Sequence, residues 1–189
     1  MPHRSYATLA VALLSLLLAS AAAAQPAMVV LVRHAEKAAT PAVDPALSEA
    51  GEIRARALAE VLADARIGSV ITTQFQRTRA TGAPVAAALG LTAITVPAAA
   101  DAKAHVQAVA DAVTARPKGE AVLVVGHSNT IPAIVHALGG PALPDLCESE
   151  YDQLFILSFD GGASPKLVRA RFGAPDDPDA PPCTRTMRQ

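Results

Sequence analysis

Two histidines and two arginines follow apolar runs in this chain, and together they could handle a phosphoryl group. Arg33 and His34 open Arg33-His34-Ala35-Glu36, directly behind Met28-Val29-Val30-Leu31-Val32. Arg77 follows Ile71-Thr72-Thr73-Gln74-Phe75-Gln76, and His127 sits in Gly126-His127-Ser128-Asn129 behind Val122-Leu123-Val124-Val125. In open α/β sheets, ligands bind outside the carboxyl ends of the strands. A neutral imidazole can attack phosphorus and carry the group as phosphohistidine. Its other ring nitrogen must be tied to an acceptor, so that the attacking nitrogen keeps its lone pair. Guanidinium forks bind two phosphate oxygens at once. On this reading His34 is the nucleophile, and Arg33, Arg77 and His127 form the clamp. A protonated His127 would add charge against the developing oxyanion. The scheme requires no cofactor or metal, and no CxxC or HExxH spacing points to a metal.

The elements that must position these residues alternate in type. Met28–Val32, Ser69–Thr72 and Ala121–Val125 are predicted as buried strands, and Leu91–Val96 as a short one. Helices are predicted over Leu47–Ala65, Gln76–Leu89 and Ala102–Ala115, and from Thr130 to Gly139-Gly140. Ser48 reads as the cap of the first, with Ala50, Ile53, Ala57, Leu58, Val61 and Leu62 on its inward face. Leu154–Phe159 and Lys166–Phe172 flank Asp160-Gly161-Gly162, the pattern of an antiparallel hairpin at a sheet edge. This β-α alternation predicts a three-layer α/β/α sandwich with a mostly parallel central sheet.

The first 24 residues follow the three-part pattern of a signal peptide: His3 and Arg4, an apolar run from Leu9 to Leu18, then Ala22-Ala23-Ala24. Cleavage after Ala24 leaves 189 − 24 = 165 residues, one domain over 25–189 with a Pro-rich tail from about 174 to 189. No membrane span is expected in the mature chain, and the protein is expected to be periplasmic or secreted. Net charge is −1, which gives no electrostatic case for nucleic acid. Cys147 and Cys183 are the two cysteines, and export would join them in a bridge contributing roughly 3–4 kcal/mol.

Four segments, in order, resemble the histidine phosphatase superfamily, also called phosphoglycerate mutase-like. Leu31-Val32-Arg33-His34-Ala35-Glu36 looks like its nucleophile motif, and Leu47-Ser48-Glu49-Ala50-Gly51 like its helix opening. Thr72 to Thr81 looks like its Arg-bearing motif, and Gly126-His127-Ser128-Asn129 like its second-histidine motif. The resemblance implies the same sandwich and dephosphorylation through His34. The chain departs from larger members in the short interval between Arg77 and His127, where those carry an acidic proton donor. Asp101 is the best-placed carboxylate there, with Asp111 and Glu120 behind it; Glu36, and Glu148, Glu150 or Asp152, are the other candidates. A poor leaving group needs such a donor, whereas a phosphoramidate, acyl or aryl phosphate needs less help.

Other residues carry two readings. Ser128 and Asn129 could bind phosphate or stabilise a turn, and Glu36 and Lys37 could serve the site or face solvent. Thr78 could touch phosphate or only start a helix, with the latter preferred, and His105 and His136 read as surface residues. Two function classes follow. The first is an exported phosphatase acting on a phosphorylated small molecule or phosphoprotein. The second is a phosphate-ligand binding protein of the same fold that has lost turnover.

Overall fold

A computed structural model of the chain describes residues 26–162, 164–177, 179–180 and 183. The expected signal peptide lies outside these residues, as does most of the distal tail. The strands are β1 (Met28–Arg33), β2 (Ile67–Thr72), β3 (Ile94–Thr95), β4 (Ala121–Gly126), β5 (Gln153–Ser158) and β6 (Lys166–Arg171). The helices are α1 (Glu49–Val61), α2 (Gln76–Ala88), α3 (Ala102–Thr114) and α4 (Ile131–Ala137).

The strands form one sheet in the order β3-β2-β4-β1-β5-β6. The β2/β3, β2/β4 and β1/β4 pairs are parallel, while β5 runs antiparallel to both β1 and β6. The sheet is therefore mostly parallel with an antiparallel hairpin at one edge, as the β-α alternation and the Asp160-Gly161-Gly162 turn predict.

The two faces explain why the central strands read as unbroken apolar runs. Val29 and Leu31 of β1, with Val122 and Val124 of β4, pack with Val109 and Val113 of α3 and Ile134 and Val135 of α4. Their neighbours Val30, Val32, Leu123 and Val125 face the other way, onto Leu58 of α1 and Val85 of α2. Both faces of the pleat are covered, so side-chain alternation produces no polar residues.

Several boundaries and one helix face depart from expectation. Of Leu91–Val96, only Ile94–Thr95 pairs. Helix α1 begins and ends inside the predicted range, with Ser48 Oγ accepting from the Gly51 amide as a cap. Its inward face is rotated from the one read off apolar spacing: Ile53 and Val61 are 53% and 55% exposed, whereas Gly51, Arg54, Ala55 and Leu58 are buried. Arg54 is the cause. Its Nε and Nη2 clamp the Glu36 carboxylate at 2.7–3.0 Å, and Nη1 donates to the carbonyls of Phe172 and Ala174. A cation so fully partnered can turn inward where hydropathy alone would place it outside. Helix α2 runs through both Gly82 and Pro84; a Cβ on Gly82 would meet Val70 at 3.0 Å, so glycine lets the helix lie close on the sheet.

Cys147 and Cys183 are joined by a disulfide, with their Cα atoms 5.8 Å apart across 36 positions. The chain between them is further tied by Arg171 to Asp152, and by the Tyr151 and Asp152 amides to Asp176.

Candidate functional site

The register of β1 and β4 decides the site. Arg33 pairs with Gly126, so the next residue of each strand, His34 and His127, leaves the sheet side by side. The His34 amide donates to the Gly126 carbonyl at 2.9 Å, and the two rings lie edge to face with centroids 5.4 Å apart. A Cβ on Gly126 would meet Ile131 at 2.9 Å, so glycine permits the tight exit from β4 into α4. Beyond β2, the Thr73 hydroxyl lies 3.3 Å from His127 Nε2, and α2 then carries Arg77 in its first turn. Thr81 Oγ1 accepts from the Ala35 amide and donates to the Arg77 carbonyl, lashing the His34 loop to the helix that carries Arg77.

The loop after β1 rests on α1 in a way that accounts for Leu47-Ser48-Glu49-Ala50-Gly51. Ser48 N donates to the Glu36 carbonyl at 2.9 Å, and a Cβ on Gly51 would stand 2.1 Å from that same oxygen. Only glycine permits this approach.

His34 is held in one tautomer. Its Nδ1 lies 2.8 Å from the Ala35 carbonyl, which can only accept, so Nδ1 bears the proton and Nε2 keeps its lone pair. Burial lowers the His34 pKa to about 3; the bond to Ala35 works against this, while Arg33, His127 and Arg77 reinforce it. Burial likewise lowers His127 to about 4, helped by Arg77, His105 and Arg33 and opposed by Glu148. In the absence of a phosphoryl group, desolvation and the surrounding cations favour the neutral His127 ring. A phosphoryl dianion placed among these groups acts in the opposite sense.

His34, Arg77, His127, Ser128, Asn129 and Glu148 line one cavity of about 350 Å³. Lys37 and Phe75 also reach it, and the Arg77 guanidinium stacks on the Phe75 ring at 4.3 Å. Arg33 does not line this cavity but binds Glu148, which does. Arg33 is 1% exposed and stacked on Tyr151 at 4.0 Å. Its Nη1 donates to the carbonyls of Cys147, Glu148 and Glu150, its Nη2 binds Glu148 Oε2 at 2.8 Å, and its buried Nε has no partner. The disulfide therefore pins the loop through which Arg33 is oriented.

The carboxylates sort by geometry. Glu36 is committed to Arg54, and Asp101 caps α3 by accepting from the Lys103 amide. Glu150 accepts from the Cys147 amide, and Asp152 is buried against Arg171. Glu148 alone of these lines the cavity, bridging Arg33 and Ser128. Burial pushes its carboxyl up, but the Arg33 guanidinium and the Ser128 hydroxyl outweigh burial and hold it below the usual carboxylate range. Asp111 and Glu120 lie away from the cavity: Asp111 accepts from Gln107 and Glu120 from Ser69.

Three further placements bear on the sequence reading. Ser128 Oγ donates to Glu148 Oε1 at 2.9 Å. Thr78 is buried and braces the turn, donating to Thr73 and Phe75 carbonyls. His136 is exposed, but His105 is corrected: it is 2% exposed, with Nδ1 3.1 Å from the Pro97 carbonyl and the ring at the cavity wall. Helix α3 turns it inward beside Val109, a placement that the i, i+4 spacing of the two could have signalled. Tyr151 and Arg54 were also missed; nothing in local spacing marks either. Among the described residues no group of three or more His, Cys, Asp or Glu could hold a metal ion, and no helix is long and apolar enough to cross a membrane.

Comparison with known proteins supplies the context. Residues 29–101 match the profile of the histidine phosphatase superfamily, branch 1. No curated protein matches. Among solved structures, the SixA protein of Agrobacterium tumefaciens superposes with a TM-score of 0.55 at 23% identity, over 79% of this chain and 99% of that one. The protein histidine phosphatase SixA complexed with tungstate gives 0.59 at 19% identity, over 76% and 96%. A mycobacterial glucosyl-3-phosphoglycerate phosphatase with inorganic phosphate gives 0.56 at 18%, over 78% and 97%. At these identities the structural likeness is one of fold.

Proposed function

We propose that this chain is a member of the histidine phosphatase superfamily, whose profile its residues 29–101 match, and an exported phosphatase that hydrolyses a phosphomonoester or phosphoramidate through a phosphohistidine on His34. The observation that carries the reading is the His34 ring, fixed by Ala35 so that Nε2 offers a lone pair into a cavity shared with Arg77 and His127. A binding protein that needs only positive charge has no use for a buried, neutral imidazole locked in one tautomer. The disulfide supports export, since thiols pair in oxidising compartments.

In the proposed reaction, His34 Nε2 attacks phosphorus in line. The bond to the leaving oxygen or nitrogen breaks, and its electron pair departs with the leaving group. Arg77 and His127 face the phosphoryl oxygens, and Arg33 acts by holding Glu148. Glu148, which takes up a proton from solvent when the phosphoryl dianion binds beside it, passes that proton to the leaving group, and the resulting carboxylate then takes one from the water that releases inorganic phosphate and restores the ring. A phosphoryl dianion beside Glu148 raises the proton affinity of its carboxylate, countering Arg33.

Two measurements test this. Hydrolysis of p-nitrophenyl phosphate in the presence of EDTA should proceed; turnover that appears only when a divalent cation is added contradicts the scheme. Glu148→Gln should lower kcat about 10²-fold on an alkyl phosphate, yet less than about tenfold on p-nitrophenyl phosphate, whose leaving group needs little protonation. Equal losses on both substrates would remove Glu148 from the proton-donor role.

A further inference from the structure

A second hollow adjoins the reaction cavity. It has a volume of about 470 Å³ and lies between α3 and α4. Ala102 and Asn129 line both spaces, so the two meet at a common wall next to the loop that carries His127. Along α3 the hollow is bounded by Ala102 and Val106, and along α4 by Ala133 and Ala137. The spacing is i, i+4 on both helices, so each presents one continuous strip to it. The remaining walls are Lys103 and Gln107, whose aliphatic stems can lie along apolar surface while their heads reach water, together with Asn129 and His136.

We infer that this groove is the leaving-group subsite, and that it takes a phosphorylated compound whose leaving group continues as an apolar chain or ring. The inference rests on the phosphatase reading for its direction, since it places the phosphoryl group at His34 and the remainder of the substrate past Asn129. Two observations select an apolar occupant. The strips of Ala102, Val106, Ala133 and Ala137 are methyl and isopropyl groups, and the hydroxyls of a polyol turned towards them would find no partner there; the polar groups of the hollow belong to Lys103, Gln107, Asn129 and His136. The volume falls within the ordinary range for small-molecule sites, and the shared residues Ala102 and Asn129 set the groove directly beside the reaction cavity.

The test uses 4-alkylbenzylphosphonates, which cannot be hydrolysed, with the alkyl group lengthened from methyl to butyl. In calorimetry with the full mature protein, the Kd should tighten roughly two- to fourfold for each added methylene. Ala133→Trp should fill the groove and flatten that dependence, and Ala137→Glu should weaken it by setting a charge beside the chain. The slope is read within each protein, so a change in overall affinity does not confuse it. If Ala133→Trp fails to fold, Ala137→Glu carries the same test. A flat or inverted series in the unaltered protein overturns the inference, as does a slope retained in a folded variant. Turnover of 4-methylphenyl phosphate is scored separately. A rising phosphonate series without turnover would leave the groove assigned while the phosphatase reading fails.

Discussion

His34→Ala should lower kcat/KM for p-nitrophenyl phosphate by at least about 10⁴-fold, with the fold intact by circular dichroism. The size follows from what the ring does. The scheme has no second nucleophile in reach: His127 Nε2 already faces the Thr73 hydroxyl, and Ser128 Oγ donates to Glu148. The loop itself does not depend on the imidazole, because the Ala35 amide is held by Thr81 and the Glu36 carbonyl by Ser48. Loss of turnover with a retained fold is therefore the expected outcome. Activity within tenfold of the unaltered protein would remove His34 from the chemistry.

Replacing the His34 ring with an uncharged side chain, as in His34→Asn, should make the protein relatively more stable in acid. An unfolded histidine titrates near 6.5, whereas burial holds folded His34 at about 3. Below 6.5 the unfolded chain thus binds a proton that the folded one refuses, and stability falls as the pH drops. Between 6.5 and pH 5 lie one and a half pH units, worth about 2 kcal/mol for this one ring. His34→Asn removes the penalty. Its Tm relative to that of the unaltered protein should therefore rise by about 4–8 °C between pH 8 and pH 5, measured in phosphate-free buffer. A difference independent of pH would mean that the folded imidazole is not depressed. The two results together would describe one design: a ring kept dry and neutral for attack, at the expense of stability in acid.

The fold was legible where chemistry and burial coincide. The runs Met28–Val32 and Ala121–Val125 are apolar on both faces because helices cover both sides of the sheet. Each ends at a histidine, so strand and site announce each other. The hairpin was equally plain, with its turn chemistry at Asp160-Gly161-Gly162. What stayed hidden depends on partners distant in the chain. Arg54 turns inward because Glu36 and the carbonyls of Phe172 and Ala174 meet it, the latter two 118 and 120 positions away. No helical wheel contains that information, so Ile53 and Val61 were assigned to the wrong side. Glu148 differs from Glu150 and Asp152 in that the Arg33 side chain reaches across to its carboxylate from the far end of the sequence, on the loop anchored by Cys147. Asp101 read as a proton donor from its position in the interval, while its side chain serves the backbone of its own helix. Among the polar residues of the site, those following strands could be found by pattern, and those arriving by loop closure could not.

The most direct test of the central claim is to trap the phosphorylated protein. Labelled substrate mixed with enzyme and quenched rapidly in base should leave one phosphoryl group on His34, attached through Nε2, stable to base and released by acid. Its rate of appearance should equal or exceed the rate of turnover. Turnover without any phosphorylated protein, or a phosphoryl group found on another residue and still formed in His34→Ala, would contradict it.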